Sequence, residues 1–235
     1  MKKPKLTIII PAYNEINTIQ EIINKVSDIK ILKQLIVVDD NSTDGTKEVI
    51  LKNESKIDKI ILHNKNKGKG AAIQSAQPNV SGEYVIIQDA DLEYDPKDFY
   101  ELLKKIEEDK QKKIVYGSRV LNNKINKKAQ NFSHSLRIIG NLFLTKLSNI
   151  INNQNLTDAH TCYKLFESNL FKSIKLKEND FSFCPEITTK VSLLEEKIIE
   201  MPINYNGRTY NEGKKIKASD GFKAIYVLFK YRFFK

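Results

Sequence analysis

Apolar residues along the chain alternate between short continuous runs and longer stretches with helical spacing. The short runs predict strands at 6–10, 35–38, 59–62, 84–87 and 114–116, and those at 6–10 and 84–87 are expected to be buried. Between these runs, apolar residues recur every three or four positions, which predicts amphipathic helices. This βαβ alternation predicts an α/β fold with a mostly parallel, doubly wound sheet and helices on both faces.

The second half of the chain has a less regular pattern. A polar and basic stretch over 124–133 predicts a loop. Further apolar segments predict a helix over 136–151, a strand-like segment over 158–166, a helix from Ile187 and a strand over 197–201. We therefore expect one domain over 1–212, divided near residue 120, followed by a tail over 213–235.

The tail combines positive charge with an apolar helical face. It has seven basic side chains and one acidic one, Asp220. The apolar positions on one helical stripe are Phe222, Ile225, Tyr226, Phe229 and Phe233. A basic amphipathic helix with aromatic residues is typical of segments that lie on a membrane surface. A terminal helix packed on the domain would show the same stripe, so both interpretations stay open.

Polar turns follow several of the predicted strands. Tyr13 comes after the first strand, Asp40 after the second, and Asp89 after the strand that begins at Tyr84. Because the carboxyl ends of parallel strands meet at one edge of a sheet, we expect these turns to lie together. That edge is where open α/β sheets bind ligands.

The Asp89-Ala90-Asp91 segment carries the strongest chemical signal. Residues i and i+2 of an extended segment point to the same side, so both carboxylates can converge on one point. Two converging carboxylates repel each other unless a cation lies between them. Mg²⁺ or Mn²⁺ is the expected cation, because both prefer oxygen ligands and are commonly shared with phosphates. The alternative is that the two aspartates only cap the following helix.

Charge and composition restrict the partners. The 235 residues include 39 basic and 29 acidic side chains, a formal charge of +10, which favours anionic partners. The basic residues are scattered and form no nucleic-acid recognition motif, so we expect no nucleic-acid partner. No apolar run approaches the roughly 18 residues that would span a bilayer.

The cysteine and histidine residues predict no metal site. Cys162 and Cys184 lack metal-ligand spacing, which favours reduced thiols and a cytoplasmic location. His63, His134 and His160 form no cluster by spacing and are expected to be structural, although His160 could line the site.

Several motifs together resemble a known family. They are I-I-I-P-A-Y-N-E, V-V-D-D-N-S-T-D-G-T, N-K-G-K-G-A-A, Q-D-A-D-L, Y-G-S-R, T-D-A-H-T-C-Y-K-L-F and R-T-Y-N-E-G-K-K-I. In combination they resemble the family-2 glycosyltransferases with the GT-A fold, and within that family the polyprenyl-phosphate (dolichyl-phosphate) mannose and glucose synthases. The resemblance places a nucleotide-binding half at about 1–120 and an acceptor-side half at about 121–212.

The resemblance implies a donor site. Its nucleotide-binding positions are Pro11, Tyr13, Glu15, Val38, Asp40, Asp89, Ala90 and Asp91. An aromatic ring offers a face to a base, and carboxylates accept hydrogen bonds from its N–H groups or from ribose hydroxyls. The implied metal ligands are Asp89, Asp91 and Glu93, where Glu93 stands at a position that often carries Gln in related mannose synthases.

The resemblance also implies phosphate and acceptor residues. These are Arg119, Arg137, Glu186, Arg208 and Lys214. Arginine suits this role because its planar guanidinium binds phosphate with two hydrogen bonds. Asp91, Arg119 and Asp158 are the expected catalytic residues, and Cys162 replaces a glycine that is usual in the family.

The expected reaction is inverting, metal-dependent hexosyl transfer from a nucleotide-diphosphate sugar of the GDP-mannose or UDP-glucose type. A polyprenyl-phosphate acceptor is already ionised and needs no strong general base. A sugar hydroxyl needs one, and Asp158 or Glu186 would have to serve. The alternative is therefore a soluble family-2 transferase that glycosylates a glycan hydroxyl.

A nucleotidyltransferase is disfavoured, because the turn near Glu15 lacks a glycine-rich basic loop. We expect peripheral contact with the cytoplasmic face of the inner membrane through the tail.

Overall fold

The computed structural model describes residues 3–109, 111–121, 132–208 and 218–234, with the backbone alone described at 132–137 and 218. The strands are β1 (Leu6–Ala12), β2 (Lys33–Asp39), β3 (Lys59–Leu62), β4 (Tyr84–Ile87), β5 (Ile114–Ser118), β6 (Lys164–Glu167) and β7 (Ile199–Pro202). The helices are α1 (Ile19–Asp28), α2 (Thr46–Lys52), α3 (Lys69–Ala76), α4 (Asp98–Glu107), α5 (Phe132–Asn152), α6 (Ser168–Ser173), α7 (Phe183–Leu193) and α8 (Ala218–Phe233). Short 3₁₀ turns lie at Glu54–Lys56 and Gln77–Asn79.

The strands form one seven-stranded sheet in the order β3-β2-β1-β4-β6-β5-β7. Every neighbouring pair is parallel except those that involve β6, which is antiparallel to β4 and to β5. This arrangement confirms the prediction of a mostly parallel α/β sheet. It also means that the parallel strands end at one edge, whereas β6 begins at that same edge.

The continuous apolar runs of β1, β2, β4 and β5 become strands that are mostly buried, whereas β3 lies at an edge of the sheet and is partly exposed. Ile8, Ile9 and Ile10 of β1 are fully buried, because β1 lies between β2 and β4 in the middle of the parallel half. The apolar residues of α1 recur at helical spacing and therefore form one face, and this face is buried. The core is therefore built from the continuous apolar runs of the strands and from the apolar positions that recur at helical spacing.

Local hydrogen bonds shape the turns that precede α1 and α4. Helix α4 begins at Asp98, because Asp95 first accepts hydrogen bonds from the Lys97 and Asp98 amides and forms a separate turn. In the turn before α1, Asn14 has a positive φ of 50° and its amide donates to Ser42 Oγ (3.0 Å). Helix α6 has too few residues to show a helical period, and it was not predicted.

Helix α8 packs on the domain and also leaves aromatic side chains exposed. Val227 and Leu228 are fully buried where α8 contacts α5 and α7. The exposed aromatic side chains of α8 and the residue after it are Phe222, Tyr226, Phe229, Phe233 and Phe234. The buried face of α8 therefore fits the packed-helix interpretation, and membrane contact through its exposed face stays a prediction. In the part of the chain that the structure describes, no helix is long and apolar enough to cross a membrane.

Candidate active site

The polar turns predicted to share one edge of the sheet do lie together. The turn after β1 contacts the turn after β2, because the Glu15 amide donates to Thr46 Oγ1 (2.9 Å). It also meets the turn after β4, since Arg208 binds both Glu15 and Asp91. Strand β5 ends next to Arg119, and the segment before β6 brings Asp158 to the same edge. The antiparallel direction of β6 explains why residues before that strand, and not after it, reach the site.

Arg208 lies within a cluster of three carboxylates. Its Nη1 is 2.9 Å from Glu15 Oε2, and its Nη2 is 2.7 Å from Asp91 Oδ2. Its backbone amide donates to Glu93 Oε1 (2.7 Å), and the other Glu93 oxygen accepts from Tyr205 Oη (2.8 Å). Residues widely separated in sequence thus form one charged group, in which a guanidinium occupies the centre of an acidic pocket.

Asp91 carries a negative charge that is poorly compensated. Burial, followed by the neighbouring charges of Asp89 and Glu93, raises the pKa of Asp91 to about 7, although Arg208 acts in the opposite direction. A further cation near this carboxylate would therefore be stabilised. Binding of a cation would stabilise the ionised form of the Asp91 carboxylate.

Asp89 has a different counter-charge, the ammonium of Lys69. The two side chains form an ion pair, and Lys69 Nζ also lies 3.5 Å from Cys162 Sγ. Burial opposes both charges, but the pairing raises the pKa of Lys69 and lowers the pKa of Asp89. Lys69 lies within the N-K-G-K-G-A-A motif, but the sequence assigns it no role. The signal that could have identified it is the Gly-Lys-Gly sequence that opens α3 directly after β3.

Asp40 holds the loop that carries Lys69. Its carboxylate accepts hydrogen bonds from the amides of Lys67 (2.9 Å) and Gly68 (2.6 Å) and contacts His63 Nδ1 (2.6 Å). Asp40 is buried, and both of its oxygens are used within the protein. In this structure it organises the loop, and its predicted contact with a nucleotide stays a prediction. His63 is structural, as expected, because Ser75 Oγ engages its other ring nitrogen (2.9 Å).

The remaining predicted donor residues line the same edge at different depths. Pro11 and Tyr13 are half-buried at the end of β1. Val38 is fully buried in β2 and Ala90 is buried between the two aspartates, so a ligand would meet these two residues mainly through their backbones.

Arg119 and Asp158 form a buried bidentate pair. Arg119 Nε lies 2.7 Å from Asp158 Oδ2, and Nη2 lies 2.8 Å from Oδ1. Asn141 Nδ2 (3.2 Å) and the Arg119 amide (3.1 Å) also donate to this carboxylate. Burial alone would raise the pKa of Asp158, but Arg119 lowers it to about 2. Asp158 is fully buried and fixes the orientation of Arg119, whose guanidinium faces the Tyr205 ring at 5.2 Å.

Glu186 is also fully buried and has several hydrogen-bond partners. Its carboxylate accepts from the amides of Lys177 (2.7 Å) and Glu178 (2.8 Å) and from Lys190 Nζ (2.5 Å). These contacts stabilise the segment that leads into α7. In this structure Glu186 stabilises the local fold through these hydrogen bonds. Its predicted role at the acceptor stays a prediction.

Two predicted phosphate residues cannot be placed. Lys214 and the side chain of Arg137 lie outside the described residues. His160 is described: its Nε2 is buried and has no hydrogen-bond partner among the described residues. Burial, reinforced by Lys164, lowers its pKa to about 4. It is therefore a neutral imidazole near neutral pH.

The carboxylates at this edge have the chemistry of a hard-cation site. Asp89, Asp91 and Glu93 offer oxygen ligands, which suit Mg²⁺ or Mn²⁺. Among the described residues, no three His, Cys, Asp or Glu side chains are already arranged around one point. Lys69 and Arg208 pair with two of these carboxylates. A divalent cation fits the donor set, and Arg208 would have to release Asp91 to admit it.

Comparisons with known proteins agree with this geometry. Residues 7–175 match the family described as glycosyl transferase family 2. Dolichyl-phosphate beta-glucosyltransferase ALG5A of Trichomonas vaginalis is 31% identical over 97% of this chain and 73% of that protein. Dolichol-phosphate mannosyltransferase of Pyrococcus furiosus is 26% identical over 97% of this chain and 64% of that protein.

Solved structures share the fold at low sequence identity. Glucosyl-3-phosphoglycerate synthase of Mycobacterium tuberculosis, crystallised with Mn²⁺, UDP and glucosyl-3-phosphoglycerate, has a TM-score of 0.68 at 14% identity, over 97% of this chain and 80% of that one. TarS of S. aureus, crystallised with UDP-GlcNAc, has a TM-score of 0.62 at 18% identity, over 98% of this chain and 68% of that one. These similarities show a GT-A glycosyltransferase fold.

Proposed function

The chain belongs to glycosyl transferase family 2 and is a glycosyltransferase, and from this premise we propose its reaction. It transfers a hexose from a nucleotide-diphosphate sugar to a polyprenyl phosphate at a membrane surface, with inversion and with the help of Mg²⁺ or Mn²⁺. The similar proteins named for dolichyl phosphate and dolichol phosphate support the lipid-phosphate class of acceptor. The domain over 1–212 would carry the chemistry and the tail over 213–235 the membrane contact.

The observation that carries this proposal is the burial and hydrogen bonding of the two candidate bases, Asp158 and Glu186. Asp158 is bound by Arg119 through two hydrogen bonds, and Glu186 is bound by two amides and Lys190. Both are fully buried. A sugar hydroxyl needs a base within hydrogen-bond reach to take its proton, whereas a phosphate oxygen is already ionised and needs none. The buried carboxylates therefore support a phosphate acceptor.

The cluster around Arg208 supports a donor with a diphosphate. Asp91 would hold the cation, with Asp89 and Glu93 completing the carboxylate set. When bound, the cation would neutralise charge on the diphosphate leaving group. Arg208 could then exchange its carboxylate partners for phosphate oxygens, because a guanidinium binds both in bidentate fashion. Arg119 is held in a fixed orientation at the same edge, where it can stabilise charge that develops during transfer.

Two neighbouring helices support contact with a membrane surface. Exposed apolar side chains occur on α8 (Phe222, Tyr226, Phe229, Phe233) and on α5 (Ile139, Leu142, Phe143, Ile150). Helices α5 and α8 contact each other, so these side chains belong to adjacent elements. Large exposed apolar surfaces on adjacent helices commonly mark an interaction site. Lys223 and Lys230 on α8 form ion pairs with Asp180 and Glu178, so the support for membrane contact comes from the exposed apolar side chains. We propose the cytoplasmic face of the inner membrane as the location.

Transfer to lipid tests the proposal directly. The protein is incubated with Mn²⁺, polyprenyl phosphate and either GDP-mannose or UDP-glucose labelled in the sugar, and the label that enters organic solvent is counted. We expect label in the organic phase with one of the donors. Asp91→Asn should lose most of this transfer, because it removes a charged ligand from the centre of the cluster.

The matched acceptor controls separate the two acceptor classes. Polyprenol without the phosphate offers a hydroxyl in the same lipid, and a soluble oligosaccharide offers a glycan hydroxyl. Transfer to the phosphate alone supports the proposal. Transfer to the oligosaccharide but not to the lipid phosphate would replace it by the glycan-directed alternative, and no transfer from any nucleotide sugar would overturn it.

A further inference from the structure

We propose that Glu200 is a positioning residue for the transfer reaction, because its carboxylate fixes the backbone at Asp158 and, through Asp158, the guanidinium of Arg119. The inference rests on the proposed function, since it concerns the charge that Arg119 stabilises during transfer. Glu200 lies on β7, and the family resemblance assigned it no role.

The Glu200 carboxylate binds the segment that leads into β6. Its Oε1 accepts a hydrogen bond from the Asp158 amide (2.9 Å), and its Oε2 accepts from the Thr157 amide (2.6 Å) and from Thr157 Oγ1 (2.9 Å). Among the described residues, the hydrogen bonds that this carboxylate accepts all come from Thr157 and Asp158. Burial raises the pKa of Glu200, while these hydrogen bonds act in the opposite direction. The charge of Glu200 is therefore directed at the backbone next to Asp158.

Two hydroxyl groups extend this contact to the residues around Arg119. An ionised carboxylate can only accept, so Thr157 Oγ1 donates its proton to Glu200 and accepts a hydrogen bond from Ser118 Oγ (2.7 Å). Ser118 Oγ in turn accepts from the amides of the two residues that follow Arg119, each at 3.2 Å. Arg119 is thus flanked on both sides by groups whose hydrogen bonds lead back to Glu200.

Lys164 holds the backbone on the other side of Asp158. The ammonium of this fully buried lysine donates to the carbonyl oxygens of Ala159 (3.1 Å) and Thr161. The Ala159 amide donates to Thr145 Oγ1 of α5 (3.3 Å). Before and at Asp158, a carboxylate binds the backbone amides, and after Asp158 an ammonium binds the carbonyl groups. The two charged side chains therefore fix the segment that carries the Asp158 carboxylate.

Asp158 transmits the position of this segment to Arg119. Its carboxylate binds Arg119 Nε (2.7 Å) and Nη2 (2.8 Å) and also the Arg119 amide (3.1 Å). A bidentate pair tolerates little displacement, because both hydrogen bonds require the two planar groups to face each other. A shift of the Asp158 backbone therefore moves the guanidinium. Misplacement of such a group by about 1 Å can lower a rate about 100-fold.

Glu200→Gln tests these contacts with little change in side-chain size. A glutamine has one acceptor oxygen and an NH₂ group with two donors. Its oxygen can bind the amide of Thr157 or of Asp158, whereas its NH₂ group would face the other amide. The segment must then shift, or one amide loses its acceptor.

The competing explanation is that Glu200 only stabilises the fold. In that case Glu200→Gln lowers the free energy of unfolding, while the molecules that stay folded keep Arg119 in place and transfer at the wild-type rate. If Glu200 positions Arg119, the folded molecules have a displaced guanidinium and transfer more slowly. The two explanations therefore differ in the properties of the folded fraction, which spectroscopy and kinetics measure separately from stability.

Nuclear magnetic resonance of the arginine side chains reports on Arg119 without relying on activity. The chain has four arginines, so ¹⁵N labelling at Nε gives a simple spectrum, in which Arg119→Met identifies the Arg119 signal. We expect its Nε proton to exchange slowly with water, because it is bound to the buried Asp158. Glu200→Gln should shift this signal and speed the exchange about tenfold or more. Thr157→Val keeps the side-chain shape but removes the hydroxyl contact with Ser118; it should shift the same signal, and it tests the contacts even if Glu200→Gln does not fold.

Kinetics on the full chain test the consequence for transfer. Hexose transfer from GDP-mannose or UDP-glucose to polyprenyl phosphate is measured for Glu200→Gln, Arg119→Met and the double variant. We expect Glu200→Gln to lower kcat about tenfold to hundredfold and to change the KM for the donor by less than about threefold, because Arg119 acts on charge that develops during transfer. In the Arg119→Met chain, the same substitution should lower kcat by less than about threefold, since both residues act through one group.

Glu196→Gln is the matched control. Glu196 is a carboxylate that pairs with Lys113, at the ends of β5 and β7 that lie away from Arg119, and its substitution should change neither the Arg119 signal nor kcat. An unchanged Arg119 signal in folded Glu200→Gln and Thr157→Val, or an equal loss of kcat in the wild-type and Arg119→Met chains, would overturn the assignment of Glu200. A wild-type chain without transfer to polyprenyl phosphate would instead contradict the proposed function, and the Arg119 signal would still decide whether Glu200 holds the guanidinium in place.

Discussion

Replacing Asp158 by Asn tests whether this residue orients Arg119 or acts as a general base. The substitution keeps the size of the side chain but removes the charge that binds Arg119 at 2.7 and 2.8 Å. Because Asp158 is fully buried, the Arg119 guanidinium would lose its counter-charge in a region with little water. We expect a large loss of stability and a misplaced Arg119.

Two estimates set the size of the stability loss. Removing one partner of a buried ion pair typically costs about 3–5 kcal/mol. Arg119 keeps 22% of its side chain exposed, so water can partly compensate and the lower end applies. The pKa of about 2, against an ordinary value of 3.8, independently corresponds to about 2 kcal/mol. Since the folded-state pKa is lowered, this contribution is complete near pH 7 and is lost only as the pH falls through 3.8 towards 2.

Urea unfolding at pH 7, followed by circular dichroism because the chain has no tryptophan, measures this loss. We expect the free energy of unfolding of Asp158→Asn to fall by about 2–4 kcal/mol. Arg119→Met should be similarly affected, and the double variant should lose much less than the sum of the two, because the residues act as a pair. Transfer to polyprenyl phosphate should fall to a similar level in both single variants.

A general base would give a different result. Loss of a base lowers kcat by about 10²–10⁴-fold without a necessary loss of stability. If Asp158→Asn unfolds within about 1 kcal/mol of the wild-type chain and still loses its activity, while Arg119→Met stays active, then the pairing argument is wrong. Asp158 would then have to reach the acceptor in a conformation that differs from this one.

Further predictions concern the loop, the cation site and the tail. Gly68→Ala should lose about 1–3 kcal/mol of stability and weaken nucleotide binding, because its Cβ would lie 2.5 Å from Asn179 O; urea unfolding and calorimetry measure both effects. The pKa of about 7 at Asp91 predicts that Mn²⁺ affinity rises about tenfold from pH 6 to pH 8, as this carboxylate ionises. If paramagnetic resonance shows an Mn²⁺ affinity that does not change with pH, the raised pKa of Asp91 is wrong. Phe229→Ser should reduce sedimentation with anionic vesicles at unchanged stability, whereas Val227→Ser should destabilise the chain, since only Val227 is buried.

Much of the fold could be predicted because its main signals are local. Strand β1 is a continuous apolar run, and its burial between β2 and β4 follows from that pattern. The shared position of the Tyr13, Asp40 and Asp89 turns follows from strand direction alone, since parallel strands end at one edge.

The pairing of charges within the site could not be predicted in the same way. Arg208 and Glu15 are separated by 193 positions, and Lys69 and Asp89 by 20. The motifs identified Asp158 and Glu186 as candidates for a base, but burial and hydrogen bonding, which no local pattern reports, give both carboxylates structural partners. Lys69 was missed because a lysine in a polar glycine-rich loop looks like any solvated surface charge.

The sequence by itself determined the alternation of strands and helices, the polar turns at the strand ends and the family. These properties depend on residues that are neighbours along the chain, so their spacing is sufficient to recognise them. Only the tertiary structure decided which cation pairs with which carboxylate, and which acidic side chains are enclosed. The energy of a charge depends on the groups and the water around it, and folding brings those groups together from distant parts of the chain.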